Sequence, residues 1–179
     1  MPKYVAFLRA INVGGHTVKM DQLRSLFEAI GFTGVETFIA SGNVIFQSKS
    51  TNAASLEKKI EQHLLKALGY EVRTFVRATA ELAAVANHEP FSEVELNAKG
   101  NVLYVGFLAS QPGNEAKKKV LALSSATNAF AIKGREVYWL LRTSFSDSDI
   151  SGALLEKTLG QRATFRNMNT VVRITAKYS

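Results

Sequence analysis

The sequence predicts an α+β protein built from two tandem ferredoxin-like (βαββαβ) subdomains that arise from an internal duplication. Three observations support this. Strand and helix patterns follow the order β-α-β-β-α-β in the first half, and the order recurs in the second half. In addition, YVAFLRA (4–10) matches YVGFLAS (104–110) at an offset of 100. The predicted boundaries are 1–78 for the first subdomain, 79–99 for a helical connector, and 100–179 for the second subdomain with a C-terminal extension.

The first repeat begins with the apolar strand YVAFLR (4–9). A helix follows from Asp21, with apolar residues on one face, and Gly31 ends it. Two strands flanking Ser41 and Gly42 predict a hairpin that turns at this pair. The remaining elements predicted here are the hairpin strands 35–40 and 43–48, a helix over 53–68 and a strand over 71–77.

The second repeat has the same element order. A strand over 101–109 precedes a helix that begins at Asn114, and a hairpin turns around Gly134. The tail from Arg166 onward fits a short helix about as well as a last strand, and a helix after Thr170 is favoured. The other elements predicted are a short connector helix over 80–87, a helix over 150–159 and a strand over 162–166.

Two further matches support the duplication. ASGNVIF (40–46) resembles IKGREVY (132–138), with Gly42 aligned on Gly134. LGYEVRTF likewise resembles LGQRATF. Apolar strand sequences also resemble each other by chance, but the shared element order makes chance the weaker explanation.

The composition excludes several classes of protein. The chain has no cysteine, which excludes disulfides, thiolate metal sites and cysteine nucleophiles. The longest apolar run, 102–109, has the length of a strand, and the N-terminal apolar run is too short for a secretory signal. These features predict a soluble cytoplasmic protein with no membrane association.

The chain is basic, and its charge is unevenly distributed. The net charge of +7 divides into +1 over residues 1–100 and +6 over residues 101–179. This asymmetry favours an acidic partner for the second half. Ordinary surface charge is the simpler interpretation, because no long basic run or interleaved aromatic series is present. The expectation is weak, salt-sensitive binding of nucleic acid at most.

The segment RAINVGGH (9–16) is the first candidate for a ligand site. In a βαββαβ unit, the loop after strand one and the hairpin turn lie at the same end of the sheet. A phosphate or carboxylate fits such a place, because a cation, glycine amides and a helix N-terminus converge there. Ordinary turn chemistry is the alternative. The predicted ligand-binding residues here are Arg9, Asn12, Gly14, Gly15, Ser41, Gly42 and Asn43.

Three motifs, FLRAINVGG, FIASGNVIF and FRNMNTV, resemble a bacterial family of small proteins of unknown function. The chain differs from that family at Ala10, where glycine is usual, and at Phe165 and Met168, where threonine and tryptophan are usual. The resemblance implies two ferredoxin-like subdomains and no established activity. It also adds candidate binding residues in the tail, Arg166, Asn167 and Asn169, to those of the strand-one loop and the hairpin. The implied signature positions are Arg9, Ile11, Asn12, Val13, Gly14, Gly15, Ser41, Gly42, Asn43, Val44, Arg166, Asn167, Asn169 and Thr170.

No catalytic or metal-binding set is evident. The histidines His16, His63 and His88 lack metal-ligand spacing, so neither a metal nor a cofactor is predicted. No nucleophile and base form a recognisable pair, which leaves enzymatic activity open. The favoured function is binding of a small anionic ligand at the strand-one loop and hairpin end. The alternatives are a protein-interaction or homo-oligomeric module and a non-specific nucleic-acid-binding module.

Overall fold

The computed structural model describes residues 1–12, 15 and 17–178, without the side chains of Ala40, Ser41 and Phe145. The chain forms two compact units. The first comprises Met1–Ala83 and Ile174–Ser179, and the second comprises Ala84–Arg173. Among the described residues, no helix combines the length and the apolar character that crossing a membrane requires.

The first sheet has the strand order β2-β3-β1-β4, and all neighbouring strands are antiparallel. This is the ferredoxin-like arrangement, with the hairpin at one side of β1 and the last strand at the other. Its elements are β1 (Lys3–Leu8), α1 (Met20–Ala29), β2 (Thr33–Phe38), β3 (Ala40–Gln47), α2 (Ala53–Leu68) and β4 (Thr74–Ala78), followed by α3 (Thr79–Asn87).

The second sheet repeats this arrangement as β6-β7-β5-β8, again antiparallel throughout. The predicted fold class is therefore confirmed. Its elements are α4 (Glu93–Asn97), β5 (Val102–Leu108), α5 (Asn114–Leu121), β6 (Asn128–Lys133), β7 (Glu136–Leu141), α6 (Gly152–Leu159), β8 (Ala163–Asn167) and α7 (Met168–Tyr178).

The two sheets also share their pairing register. Tyr4 of β1 pairs with Ala78 of β4, and Tyr104 of β5 pairs with Asn167 of β8. The predicted equivalence of β1 and β5 at an offset of 100 is thereby confirmed. Residues of β1, β3 and β4 can consequently be compared with their counterparts in β5, β7 and β8.

The register corrects one part of the predicted alignment. Phe46 of β3 and Trp139 of β7 each lie opposite the first tyrosine of their repeat, so they are equivalent. Counting back along the two strands makes Gly42 the counterpart of Arg135, not of Gly134. The alignment by letters was wrong by one residue because it matched two glycines that serve different backbone conformations.

The β2–β3 turn differs from the prediction. It lies at Ile39, the single residue between the two strands, whose φ is 68°. The predicted turn pair, Ser41 and Gly42, lies inside β3 instead. The β2–β3 register shifts between Thr37 and Phe38, so β3 is irregular at this point. Glycine is found in bulges as well as in turns, and the sequence pattern cannot separate the two.

The repeat extends beyond the last strand. The predicted C-terminal helix is present, but it begins at Met168 rather than after Thr170. It follows β8 directly, as α3 follows β4. The buried apolar positions of the two helices also correspond, and they are Leu82 and Val85 in α3 and Val171 and Ile174 in α7.

Each sheet buries one face under its own two helices. In the first unit, alternate residues of the central strands pack against apolar side chains of α1 and α2. In the second unit, the corresponding face packs against α5 and α6. Central contributors are Ala6, Val44, Phe46, Leu23, Phe27, Ile60 and Leu64 in the first core and Leu108, Val120, Val137, Trp139 and Leu155 in the second.

Candidate functional site

The predicted ligand-binding residues divide into two groups, one in each unit. Gly14 and the side chain of Ser41 lie outside the described residues. The described members of the first group are Arg9, Asn12, Gly15, Gly42 and Asn43, and those of the second are Arg166, Asn167 and Asn169.

The strand-one end has the convergence that the topology predicts. Phe7 of β1 pairs with Asn43 of β3, so the end of β1 lies beside the irregular start of β3. The backbone N–H of Arg9 donates to the carbonyl of Arg73 at 2.8 Å, which continues the contact with the chain before β4. The loop therefore leaves the sheet from a fixed position.

Asn12 stabilises this loop. Its Oδ1 accepts a hydrogen bond from the backbone N–H of Val18 at 2.8 Å. The neighbouring Ile11 is buried in the core, and its carbonyl accepts from the Tyr70 hydroxyl at 2.7 Å. Burial raises the pKa of Tyr70, which keeps this hydroxyl protonated as a donor. This oxygen of Asn12 therefore serves the loop backbone.

Asn43 has a comparable structural contact in the hairpin. It is 3% exposed, and its Nδ2 donates to the carbonyl of Phe38 at 3.1 Å across the irregular part of β3. A buried amide needs such partners, because leaving it unsatisfied costs about 1–3 kcal/mol. The contact ties the turn to β3.

Two residues other than glycine have left-handed backbone conformations at this end of the sheet. Ala10 has a φ of 58° and Ile39 has a φ of 68°. This conformation disfavours residues with a Cβ, and β-branched residues most of all. The glycine that is usual at the position of Ala10 in the resembling family is thus explained by the backbone.

A pocket of about 320 Å³ lies in the second unit, and we call it the tail pocket. It brings together the end of α3, the segment from α4 to β5, and the β8–α7 junction. Asn167 and Asn169 line it, whereas Arg166 does not. The lining residues are Ala86, His88, Glu89, Leu96, Asn101, Val102, Leu103, Asn167, Met168 and Asn169.

Local hydrogen bonds hold the carboxamides of the tail pocket. Oδ1 of Asn167 accepts from the backbone N–H of Asn169 at 2.9 Å, which caps the start of α7. In the same lining, Nδ2 of Asn101 donates to the carbonyl of Glu95 at 2.8 Å. The Glu95 carboxylate pairs with Arg142 at 2.6 Å, so α4 is attached to the end of β7.

His88 and Glu89 are site residues that the sequence did not indicate. The His88 ring lies 4.8 Å from the Tyr138 ring. Burial, and to a lesser extent the charge of Lys133, lowers the pKa of His88, which favours the neutral imidazole. Glu89 is exposed at the pocket. The available signal was a histidine beside a carboxylate in a short connector, which is common in ordinary loops.

The first repeat provides an internal comparison for the tail pocket. Asn167 and Asn169 correspond to Ala78 and Ala80 at the β4–α3 junction. At that junction the hydrogen bond runs the other way, because the residue at the end of the strand is the donor. The N–H of Ala78 donates to Oε1 of Glu81 at 3.1 Å. A strand-to-helix junction of this fold therefore forms without the two carboxamides.

Comparison with known proteins agrees with the architecture. The sequence profile of the family described as "Protein of unknown function (DUF1697)" matches residues 1–138. The chain belongs to this family. The resemblance noted from the motifs is thus confirmed at the level of a family of unknown function. The matched range ends before the tail motif.

A solved structure extends the agreement beyond the DUF1697 match. The chain is similar to the structure of conserved bacterial protein SP0830 from Streptococcus pneumoniae, with a TM-score of 0.76 and 20% sequence identity. The similarity covers 98% of this chain and 97% of that chain. At this identity it establishes the fold alone. No curated protein matches the chain.

In this DUF1697 protein, Arg166 has a structural counterpart in Arg77. Nη1 of Arg166 donates to Oγ1 of Thr164 at 2.8 Å and to the carbonyl of Phe165 at 2.9 Å. Nη1 of Arg77 donates likewise to the carbonyl of Val76 at 3.0 Å. Burial lowers the pKa of Arg166 to about 10, which leaves it charged at neutral pH. Both arginines stabilise their own strands.

The described residues contain no cluster of three or more His, Asp or Glu side chains that could hold a metal ion. The chemistry available at the tail pocket is therefore that of carboxamides, one imidazole, one carboxylate and several apolar side chains.

Proposed function

We propose that this DUF1697 protein binds a small polar molecule in the tail pocket. The observation that carries the proposal is the difference between the two repeats. Asn167 and Asn169 stand where the first repeat has Ala78 and Ala80, and the same junction forms in both. The first repeat forms this junction without carboxamides, and polar side chains gathered at a cavity are the usual sign of a binding site.

The pocket has the composition of a small-molecule site. Its volume of about 320 Å³ falls at the lower end of the range typical of ligand pockets, roughly 300–1,000 Å³. Carboxamides of Asn101, Asn167 and Asn169 donate and accept hydrogen bonds, and the neutral imidazole of His88 does the same. Leu103 supplies apolar surface. This combination suits a ring or short chain that carries hydroxyl or amide groups.

Binding, rather than catalysis, is the activity that we propose. The described lining residues include no serine, threonine, cysteine or lysine to act as a nucleophile. A general acid or base alone has no evident reacting partner in this pocket.

The test is a fragment screen by NMR with the full chain and the double variant Asn167→Ala, Asn169→Ala. We expect fragments that perturb the side-chain amide signals of these asparagines to lose binding in the variant, while the fold persists. Asn114→Ala is the control, because Asn114 is exposed and lies outside the pocket lining. Fragments that bind the double variant as well as the unmodified protein would contradict the proposal.

A second candidate is the anionic-ligand site at the strand-one end. One observation favours it: Lys19, the residue that precedes α1, makes no side-chain capping hydrogen bond to the helix. Backbone N–H groups at such a helix start attract phosphate and carboxylate groups. We expect phosphate to raise the melting temperature, and Arg9→Ala to remove that increase while leaving the apo protein nearly unchanged. Strong destabilisation by Arg9→Ala would instead identify Arg9 as a structural residue.

The remaining alternatives, an interaction module and weak nucleic-acid binding through the basic second half, rest on the sequence alone. No contact of the described residues adds support to either.

A further inference from the structure

The charge of the tail-pocket lining limits the ligands that fit. We infer that the tail pocket selects uncharged or cationic molecules over anions, and that Glu89 is the residue that sets this preference. The inference rests on the proposed function, because it concerns the ligand of the same pocket.

The lining has one ionised group. Among its described residues, the single formal charge at neutral pH belongs to Glu89, and no lysine or arginine is present. Proteins that bind carboxylate or phosphate groups usually pair them with arginine or lysine. An anion in this pocket would therefore face a carboxylate without a compensating cation.

Two positive contributions oppose Glu89, and both are weaker at the pocket. The start of α7 carries roughly half a unit of positive charge. One N–H of that turn, on Asn169, already donates to Asn167. Lys133 is close enough to lower the pKa of His88, but it is not among the lining residues. Glu89 is in the lining itself and carries a full negative charge, which is about twice the partial charge of the helix start.

The carboxamides complement an uncharged or cationic ligand. Asn101 uses Nδ2 for the carbonyl of Glu95, which orients its Oδ1 as an acceptor. Asn167 uses Oδ1 for the start of α7, which orients its Nδ2 as a donor. A ligand with adjacent donor and acceptor groups, such as an amide on a small ring, satisfies both asparagines. An amidinium cation, which has donors alone, satisfies Asn101 and pairs with Glu89.

Three molecules of the same shape and different charge test the inference: benzamide, benzamidine as its cation, and benzoate. Each is titrated at millimolar concentration into the isotope-labelled full chain, and the side-chain amide signals of Asn167 and Asn169 are followed by NMR. We expect benzamide and the benzamidine cation to bind, and benzoate to bind about fivefold more weakly, the effect of one unit charge at 4 Å in water.

Glu89→Gln should remove most of the difference between benzamidine and benzoate. Glu93→Gln is the matched control, because Glu93 is an exposed glutamate of α4 outside the lining, and it should leave the order of affinities unchanged. If Glu89→Gln leaves the difference between benzamidine and benzoate unchanged, Glu89 does not set the preference.

The outcomes separate this inference from the proposed function. If benzoate binds as tightly as benzamide at these signals, the charge preference is overturned while the pocket remains a binding site. If none of the three probes, and no fragment of the screen described above, perturbs these signals, the proposed function is overturned and the inference with it.

Discussion

The last strands of the two repeats, β4 and β8, occupy the same place in their sheets but are held differently. Three N–H groups of β4, on Thr74, Val76 and Ala78, donate to carboxylates of α2 and α3. In β8, the N–H of Ala163 donates to Oε2 of Glu156 at 3.2 Å. An unprotected edge strand is prone to pair with other chains, and β4 is shielded by its glutamates.

The junctions after these strands differ in a second way. The first repeat uses alanines and one glutamate, whereas the second uses two asparagines that reach a pocket. A duplicated fold thus identifies which polar residues are structural. Those with an equivalent contact in both repeats, such as Arg77 and Arg166, belong to the fold. Polar residues that line a pocket in one repeat alone are candidates for function.

The largest difference between the repeats should appear on removal of Glu57. Oε2 of this buried residue accepts from the N–H of Val76 at 2.8 Å and lies 4.0 Å from Nη1 of the buried Arg77. We expect Glu57→Ala to lower the free energy of unfolding by about 3–5 kcal/mol, because a buried charge loses a partner. Glu156→Ala in the second repeat should cost clearly less. Equal losses in urea denaturation would contradict this asymmetry.

The next largest loss of stability should come from the packing of β5 against β8. Gly106 and Phe165 replace the pair Ala6 and Val76 of the first repeat, and a Cβ on Gly106 would lie 2.6 Å from Cε1 of Phe165. We expect Gly106→Ala to cost about 1–3 kcal/mol by overpacking. Adding Phe165→Val recreates the pair of the first repeat and should recover part of that loss. If the losses in free energy of unfolding of the two single variants simply add in the double variant, as measured by urea denaturation, the two sites are uncoupled.

The capping of α7 gives a smaller effect. Asn167→Ala removes the acceptor of the Asn169 N–H and should cost about 1 kcal/mol, the usual value for a helix cap. Asn169→Ala should stay within about 0.5 kcal/mol, because its side chain is exposed. Thermal unfolding of the two single variants measures this difference. A larger loss for Asn169→Ala would assign that side chain a structural role.

The end of strand one offers a stabilising change of similar size. Ala10 has a φ of 58°, whereas its counterpart Ser110 does not have a positive φ. We expect Ala10→Gly to raise the free energy of unfolding by about 0.5–1 kcal/mol, because glycine adopts the left-handed conformation without a Cβ clash. Ser110→Gly should lower it. Stabilisation by both variants would mean that the backbone conformation of Ala10 is not the cause.

The smallest effect concerns pH. Burial raises the pKa of Glu61, and the hydrogen bond from Thr74 and the charge of Arg73 offset part of this rise. A carboxyl whose pKa is raised on folding favours the folded state below its unfolded pKa of 4.5, and this contribution is lost as pH rises through the folded pKa. The free energy of unfolding of Glu61→Gln, relative to that of the unmodified protein, should therefore be higher at pH 7 than at pH 4. The free energy of unfolding of both proteins at the two pH values tests this, and the opposite trend would contradict the sign.

The candidate sites were only partly predictable. Asparagines in RAINVGG and SGNV match a binding loop and a structural loop equally well, because an amide bonds to a ligand or to the backbone with the same geometry. The structure assigns contacts of Asn12 and Asn43 to the backbone, at Val18 and Phe38. The tail motif was recognised through a family resemblance, and the cavity beside it was not foreseeable from the residues.

The sequence by itself determined the order of the sheet strands and of the helices that cover each sheet, their repetition and the antiparallel ferredoxin-like arrangement. These features follow from periodic apolar patterns and helix-ending glycines such as Gly69 and Gly160, which act over a few residues. The sequence did not indicate α4. Only the tertiary structure decided where β3 is irregular and which residues line the tail pocket. The pocket joins His88, Asn101 and Asn169, which are distant in sequence, and such a meeting depends on how whole elements pack and on no local pattern.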